Sequence, residues 1–182
     1  DNVRVPVGNR VGPENEGWSV AKSLLAHERL NGARASDTRR ALERAKEIAA
    51  SETSCGKRLI DQDWFARRMW ALEVELMALE QTILRFVADA AAGKSLGPET
   101  SLLKARGTLV LQGVRDLAVD AVGYYGLPDE FSVDELDDED GYLGPEYAIT
   151  LAAQRYTNRG SSIAGGSYEV QAMITAKRVL GL

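Results

Sequence analysis

Gly165, Gly166 and Ser167, followed by Glu169, are the residues of this chain best suited to holding a ligand. A glycine pair lets the backbone come close to a bound group. Ser167 reads as the N-cap of a short helix with Glu169 in its first turn, and Val170, Ile174 and Leu180 form a partial apolar stripe on that helix. A loop feeding a helix N-terminus presents backbone N–H groups, which is chemistry suited to a cofactor. The same residues also describe an ordinary capped helix, and the residue types alone do not separate the two.

Composition narrows what such a site can do. At 182 residues the chain can build one sizeable core, and its 45% hydrophobic content is that of an ordinary globular domain. It has one cysteine, Cys55, and one histidine, His27, so it offers no internal disulfide and no zinc or iron–sulfur ligand set. The net charge of −5 argues against nucleic acid as a main partner. Arg39, Arg40 and Arg44 cluster, but with Glu43 and Glu47 among them they read as a solvated helix face. No stretch has the apolar length of a membrane span and no signal pattern opens the chain, which predicts a soluble, cytoplasmic protein.

The elements that must position the glycine loop read as helical almost throughout. From Glu14 to about Ala50, Trp18, Ala21, Leu24, Leu25, Ala35, Leu42, Ala45 and Ile48 recur near helical spacing, predicting one long helix with weak points at Gly17 and Gly32. Residues 51–56 read as a connector. A second helix is predicted over 59–92, with Phe65, Met69, Leu72, Leu76, Leu79, Ile83 and Phe86 inward and Gly93 as its stop. A third runs from Pro98 to about Tyr125, burying Leu102, Leu109, Val114, Leu117 and Val122, with the Tyr124–Tyr125 pair read as packing. Residues 126–144 are acidic and turn-rich and read as a loop; a fourth helix follows from Pro145 to about Arg159, then the short terminal helix. The expectation is an all-α, antiparallel four-helix bundle with a short extra C-terminal helix and no continuous sheet. The opening Val3-Arg4-Val5-Pro6 reads as an extended segment with nothing before it to pair with, so the chain is expected to be a fragment.

Two segments carry a family resemblance. The tail, SSIAGGSYEVQAMITAKRVLGL, is similar to the C-terminal signature of acyl-CoA dehydrogenases, I-x-G-G-T-x-E-I-Q followed by A-K/E-R-V-L-G-L. Residues 1–29 resemble that family's passage from a last β-domain strand (V-R-V-P), through a G-x-x-x-x-G-W loop at Gly12–Trp18, into a long helix bearing a Glu-Arg pair, here Glu28–Arg29. The resemblance implies that residues 1–12 are the end of a β-domain and linker, with the last strand of a β-domain otherwise missing, and that residues 13–182 are the C-terminal helical-bundle domain. It implies FAD as cofactor and removal of an α-proton and a β-hydride from an acyl-CoA thioester, giving the trans-2-enoyl-CoA. The family places its base either at the first position of the tail glycine pair or on the first helix directly before an arginine. Gly165 cannot be a base, so the resemblance assigns that role to Glu28, with Arg29 toward substrate and the Gly165 N–H polarising the thioester. Gly165, Gly166, Ser167 and Glu169 then fall at the cofactor. Without the family, Glu28 would read as an exposed helix glutamate. His27 points roughly 100° away from it and reads as packing or interface.

The middle departs from the pattern. Where the family grips a neighbour's FAD with R-x-x-F-G, a subsequent glutamine and Q-x-x-G-G-x-G, this chain has Glu52-Thr53-Ser54-Cys55-Gly56, Asp63 and Gly123-Tyr124-Tyr125-Gly126-Leu127. A carboxylate in place of the arginine repels a pyrophosphate. Two readings compete: one subunit type of a heteromeric enzyme, an α2β2 arrangement resembling actinobacterial relatives that shorten steroid side chains, in which only one kind of interface carries FAD; or a paralogue without dehydrogenase activity that serves as a scaffold for an active homologue. Retention of Glu28 and the tail loop favours the first. Related flavin oxidases and monooxygenases generally move the base, and the family implies an electron-transferring flavoprotein as acceptor.

Overall fold

The computed structural model describes residues 2–28, 30–127 and 144–182, and within these the side chains of all but Ser23, Leu25, Ala26, His27, Glu28 and Asn31. The acidic segment read as a loop lies almost wholly outside the described residues.

Among the described residues six α-helices succeed one another: α1 (Gly17–Glu28), α2 (Ala35–Ser51), α3 (Asp63–Ala91), α4 (Ser101–Val122), α5 (Leu151–Arg159) and α6 (Tyr168–Thr175). A two-residue hairpin, β1 (Thr53–Ser54) and β2 (Lys57–Arg58), pairs Thr53 with Arg58 and Ser54 with Lys57. The connector expected at 51–56 is thus the first half of a hairpin, turning at Cys55 (φ 52°) and Gly56 (φ 75°). Residues 2–6 join no strand among the described residues.

The bundle is all-α as expected, and its ion pairs show the helices running antiparallel. Arg39 meets Glu80 at 2.7 Å and Lys46 meets Glu73 at 2.7 Å, so α2 and α3 run in opposite senses. Arg68–Asp120 and Arg106–Glu75 do the same for α3 and α4, and Arg155–Asp116 with Gln112–Asn158 for α4 and α5. Arg39 therefore bridges two helices rather than lying on a solvated face; Arg40 and Arg44 are exposed as expected.

Helix α4 is the centre, packed against α2, α3, α5 and α6. Leu103, Val110, Leu111, Val114, Leu117 and Val122 are buried along it, facing Leu42, Ala45 and Ile48 of α2 and Phe65, Met69, Leu76 and Leu79 of α3. Most of the steps between them on α2 and α3 are three, four or seven positions, the spacing that puts residues on one face, while central α4 buries more than one face. Helix α3 stops at Gly93 (φ 77°) and α4 at Gly123 (φ 55°), positive-φ positions that glycine takes without the Cβ clash.

Three expectations change. The predicted first helix is two helices, because the chain turns through a 3₁₀ segment at Asn31–Ala33 and a left-handed Arg34 (φ 49°). Trp18 and Leu24 of α1 and Leu102 and Leu109 of α4 are exposed, and Tyr124 is 88% exposed; helical spacing gave them a shared face but not one turned to this core. The stripe on the terminal helix is largely surface: Val170 and Leu180 are exposed, and Gln171 is the buried residue. No helix among the described residues is long and apolar enough to cross a membrane.

Candidate functional site

The tail loop is held by a polar ladder on α4. Lys104, Thr108, Gln112 and Asp116 stand at four-residue steps, so they line one face of a helix whose other buried positions are mostly apolar. Lys104 Nζ donates to the Ser161 carbonyl at 2.5 Å and to Thr108 Oγ1 at 2.9 Å. Gln112 Nε2 donates to Ser162 Oγ at 2.8 Å and to the Asn158 carbonyl at 3.3 Å. Asp116 accepts from Arg155 at 2.7 Å and Arg159 at 2.5 Å. Burial works to raise the Asp116 carboxyl, but the two guanidinium groups outweigh it and hold it below the ordinary carboxylate range. Burial pushes the Lys104 ammonium down, and the charge of Arg34 pushes it the same way.

Residues 158–162, fixed in this way, deliver the glycine pair. Gly165 (φ 68°) and Gly166 (φ 90°) both have positive φ and are exposed. A Cβ on Gly166 would meet the Gln171 side-chain amide, which would have to shift, and the positive φ is what favours glycine there. No backbone acceptor among the described residues takes the Gly165 N–H. Ser167 caps α6 as its sequence indicated, accepting from the Val170 N–H at 3.3 Å. Glu169 sits in that first turn, its carboxyl held low by its own backbone N–H and by Ser167.

Glu28 is the last residue of α1. Its side chain and that of His27, and Arg29 entirely, lie outside the described residues. The turn at 30–34, immediately after, approaches the tail loop through Lys104. A Cβ on Gly32 would stand 3.3 Å from Lys104 Cδ, and one on Gly165 would stand 3.7 Å from Lys104 Cε. A Cβ on Gly107 would overlap the Ala33 carbonyl, so α4 lies directly against the turn after α1. The turn that follows α1 and the tail loop thus converge on one stretch of α4. Lys104 was not among the residues expected from sequence; the signal was its place at the head of a four-residue polar stripe, Lys104, Thr108, Gln112 and Asp116, on the central helix.

The first departing segment begins at Glu52, directly after α2. Tyr147 Oη donates to Glu52 at 2.6 Å, which raises the Tyr147 hydroxyl, with burial acting in the same direction. Cys55 is exposed, and Arg58 is engaged by Asp61 at 2.8 Å. A flavin pyrophosphate needs donors and positive charge. The tail loop offers such a group backbone N–H donors at the start of α6, with the Glu169 carboxylate beside them and no positive side chain in that turn. The Glu52 surface presents a carboxylate with its own internal partner, and does not fit.

Comparison with known proteins agrees with this architecture. The family model described as acyl-CoA dehydrogenase, C-terminal domain, matches residues 15–180. Among curated relatives, the acyl-CoA dehydrogenase FadE26 of Mycobacterium tuberculosis is 29% identical over 126 residues, 67% of this chain and 32% of its own length. An acyl-CoA dehydrogenase structure from Geobacillus kaustophilus superposes with TM-score 0.77 at 24% identity, covering 100% of this chain and 43% of that one. The ChsE4–ChsE5 complex from Mycobacterium tuberculosis gives TM-score 0.75 at 24% identity, covering 98% of this chain and 44% of the matched one. The chain therefore spans about a third of the length of the curated relative and under half that of the solved structures.

Proposed function

The chain belongs to the acyl-CoA dehydrogenase family, as that family's C-terminal domain, and we propose that it serves flavin-dependent α,β-dehydrogenation of an acyl-CoA thioester within a larger enzyme. Glu28 removes the α-proton. The Gly165 N–H donates to the thioester oxygen, where negative charge develops as that proton leaves, and such a donor acts more strongly on the transition state than on the ground state. Arg29 lies on the substrate side, and Gly166, Ser167 and Glu169 shape the edge of the loop at the cofactor. FAD held in the assembled enzyme would supply the acceptor for the β-hydrogen as hydride.

The observation that carries this reading is the convergence on α4 of the turn after α1 and the tail loop, with the Gly165 N–H left without a backbone acceptor among the described residues. An ordinary capped helix would not need two consecutive positive-φ glycines at a surface. The Glu52–Tyr147 pair supports the further reading that this subunit does not complete a neighbour's FAD site, so that the flavin is held at the interface with a homologous subunit of a heteromer. Trp70, Val74, Met77 and Leu84, exposed along the outer side of α3, are consistent with more polypeptide covering that side in the assembled enzyme. An electron-transferring flavoprotein is the acceptor this reading implies. The scaffold alternative keeps the fold and loses the chemistry.

The test is anaerobic mixing of the full-length enzyme with an acyl-CoA, monitoring flavin bleaching and enoyl-CoA formation. Glu28→Gln is expected to keep its flavin and lose reduction by a factor of about 10² or more. Reduction at the wild-type rate in that variant would remove Glu28 from the chemistry, and no reduction in any wild-type preparation would favour the scaffold.

A further inference from the structure

We propose that Lys104 is a positioning residue for this reaction, its ammonium tying the tail loop to α4 and so holding the Gly165 N–H in place. The proposal rests on the dehydrogenase reading above and adds to it the part that holds the oxygen-binding donor in place.

Three observations carry it. Lys104 Nζ donates to the Ser161 carbonyl at 2.5 Å, a main-chain acceptor four residues before Gly165, so the bond restrains backbone rather than another side chain. The lysine stem lies between the two segments: Gly32 borders its Cδ and Gly165 its Cε. The second bond, to Thr108 Oγ1 at 2.9 Å, comes from the next turn of the same helix and steers the ammonium toward the loop. A half-buried ammonium on a carbonyl is a charge-assisted bond, stronger than one between neutral groups. Both of these acceptors are neutral oxygens, and the charge of Arg34 acting on the ammonium is of like sign, so the carbonyl and the hydroxyl hold it in place. Lysine supplies the reach, its stem running past Gly32 and Gly165 to the Ser161 carbonyl.

Dehydrogenation by this arrangement depends on one base and one donor acting on neighbouring parts of the thioester, and displacement of either by about 1 Å can cost 10²-fold in rate. Lys104 acts through Ser161 and the turn at 30–33, not on the reacting atoms.

The experiment uses the full-length, flavin-loaded enzyme, with its partner subunit if the flavin requires one. Lys104→Met preserves the stem and removes the donor; Lys104→Arg preserves charge and donors. Amide hydrogen exchange over 160–166 and over 30–34, flavin content, kcat and KM are measured for each. The expected result is faster exchange in both segments for Lys104→Met and a fall in kcat of about tenfold or more, with flavin content unchanged and KM within about twofold. Lys104→Arg should restore the protection and most of kcat. If Lys104→Met does not fold, Lys104→Gln, which is too short to reach, is expected to give the same pattern.

Wild-type exchange in both segments would overturn the tie whatever the role of Glu28. Faster exchange with wild-type kcat would overturn the positioning role alone, provided Glu28→Gln is inactive. If Glu28→Gln stays active, the dehydrogenase assignment of Glu28 fails and the catalytic half of this proposal falls with it.

Discussion

Asp116 shows how a single carboxylate fixes the route of the chain into the site. It takes Arg155 and Arg159 together, one turn apart on α5, and so holds the segment that leads to Ser161. Because its folded pKa is depressed, its contribution to stability is present above the ordinary carboxylate pKa and is lost as pH falls through the folded value. Asp116→Asn is therefore expected to cost about 1–2 kcal/mol at neutral pH, allowing for partial screening. In urea unfolding at a series of pH values the gap to wild type should close on the acid side. A gap that stays constant with pH would show that the pairs contribute no net charge–charge stabilisation. Asp116 was invisible in the sequence, where it is one acid among many on a helix; its partners are 39 and 43 residues away. Ser167 was legible because its partner, Val170, is three residues away, and local spacing is what a sequence displays directly.

Among elements, α4 carries both the core and the site, and Gly107 is where it meets the turn after α1. A side chain there must push against the Ala33 carbonyl, which is backbone and cannot rotate aside. Gly107→Ala is expected to destabilise by about 2–3 kcal/mol, read from the urea midpoint at constant slope. A loss below a few tenths would mean the turn is not packed on α4. The apolar period of α2, α3 and α4 was readable because each contributes a continuous stripe to one core. The break between α1 and α2 was not, since Trp18 and Leu24 keep helical spacing with the α2 residues while the chain turns at residues 31–34. Periodicity reports that residues share a face, and it does not report which partner covers that face. Leu102 and Leu109 on α4 make the same point: they extend an apolar pattern but stand open in this chain.

Taken whole, the molecule is under half the length of the solved relatives that it superposes on, and its fold is that of their C-terminal domain. Two signatures at opposite ends of the sequence were enough to indicate that fold, because they sit at loops where short spacing is diagnostic. The site was only half legible: the glycines were, while the tie between them and the turn after α1 depends on α4, which lies between the two signatures. On the reading proposed above, this subunit works in a flavoenzyme and leaves the flavin to be completed by a different subunit, its own Glu52 being turned to Tyr147. Flavin stoichiometry decides the matter, measured from visible absorbance of the full-length protein purified alone and after co-expression with a homologous dehydrogenase subunit. Little or no flavin is expected in the protein alone, and firmly bound flavin in the mixed complex. One flavin per chain in the protein alone would contradict this division of labour, because the surface at Glu52, Cys55 and Gly123 would then be a working flavin site.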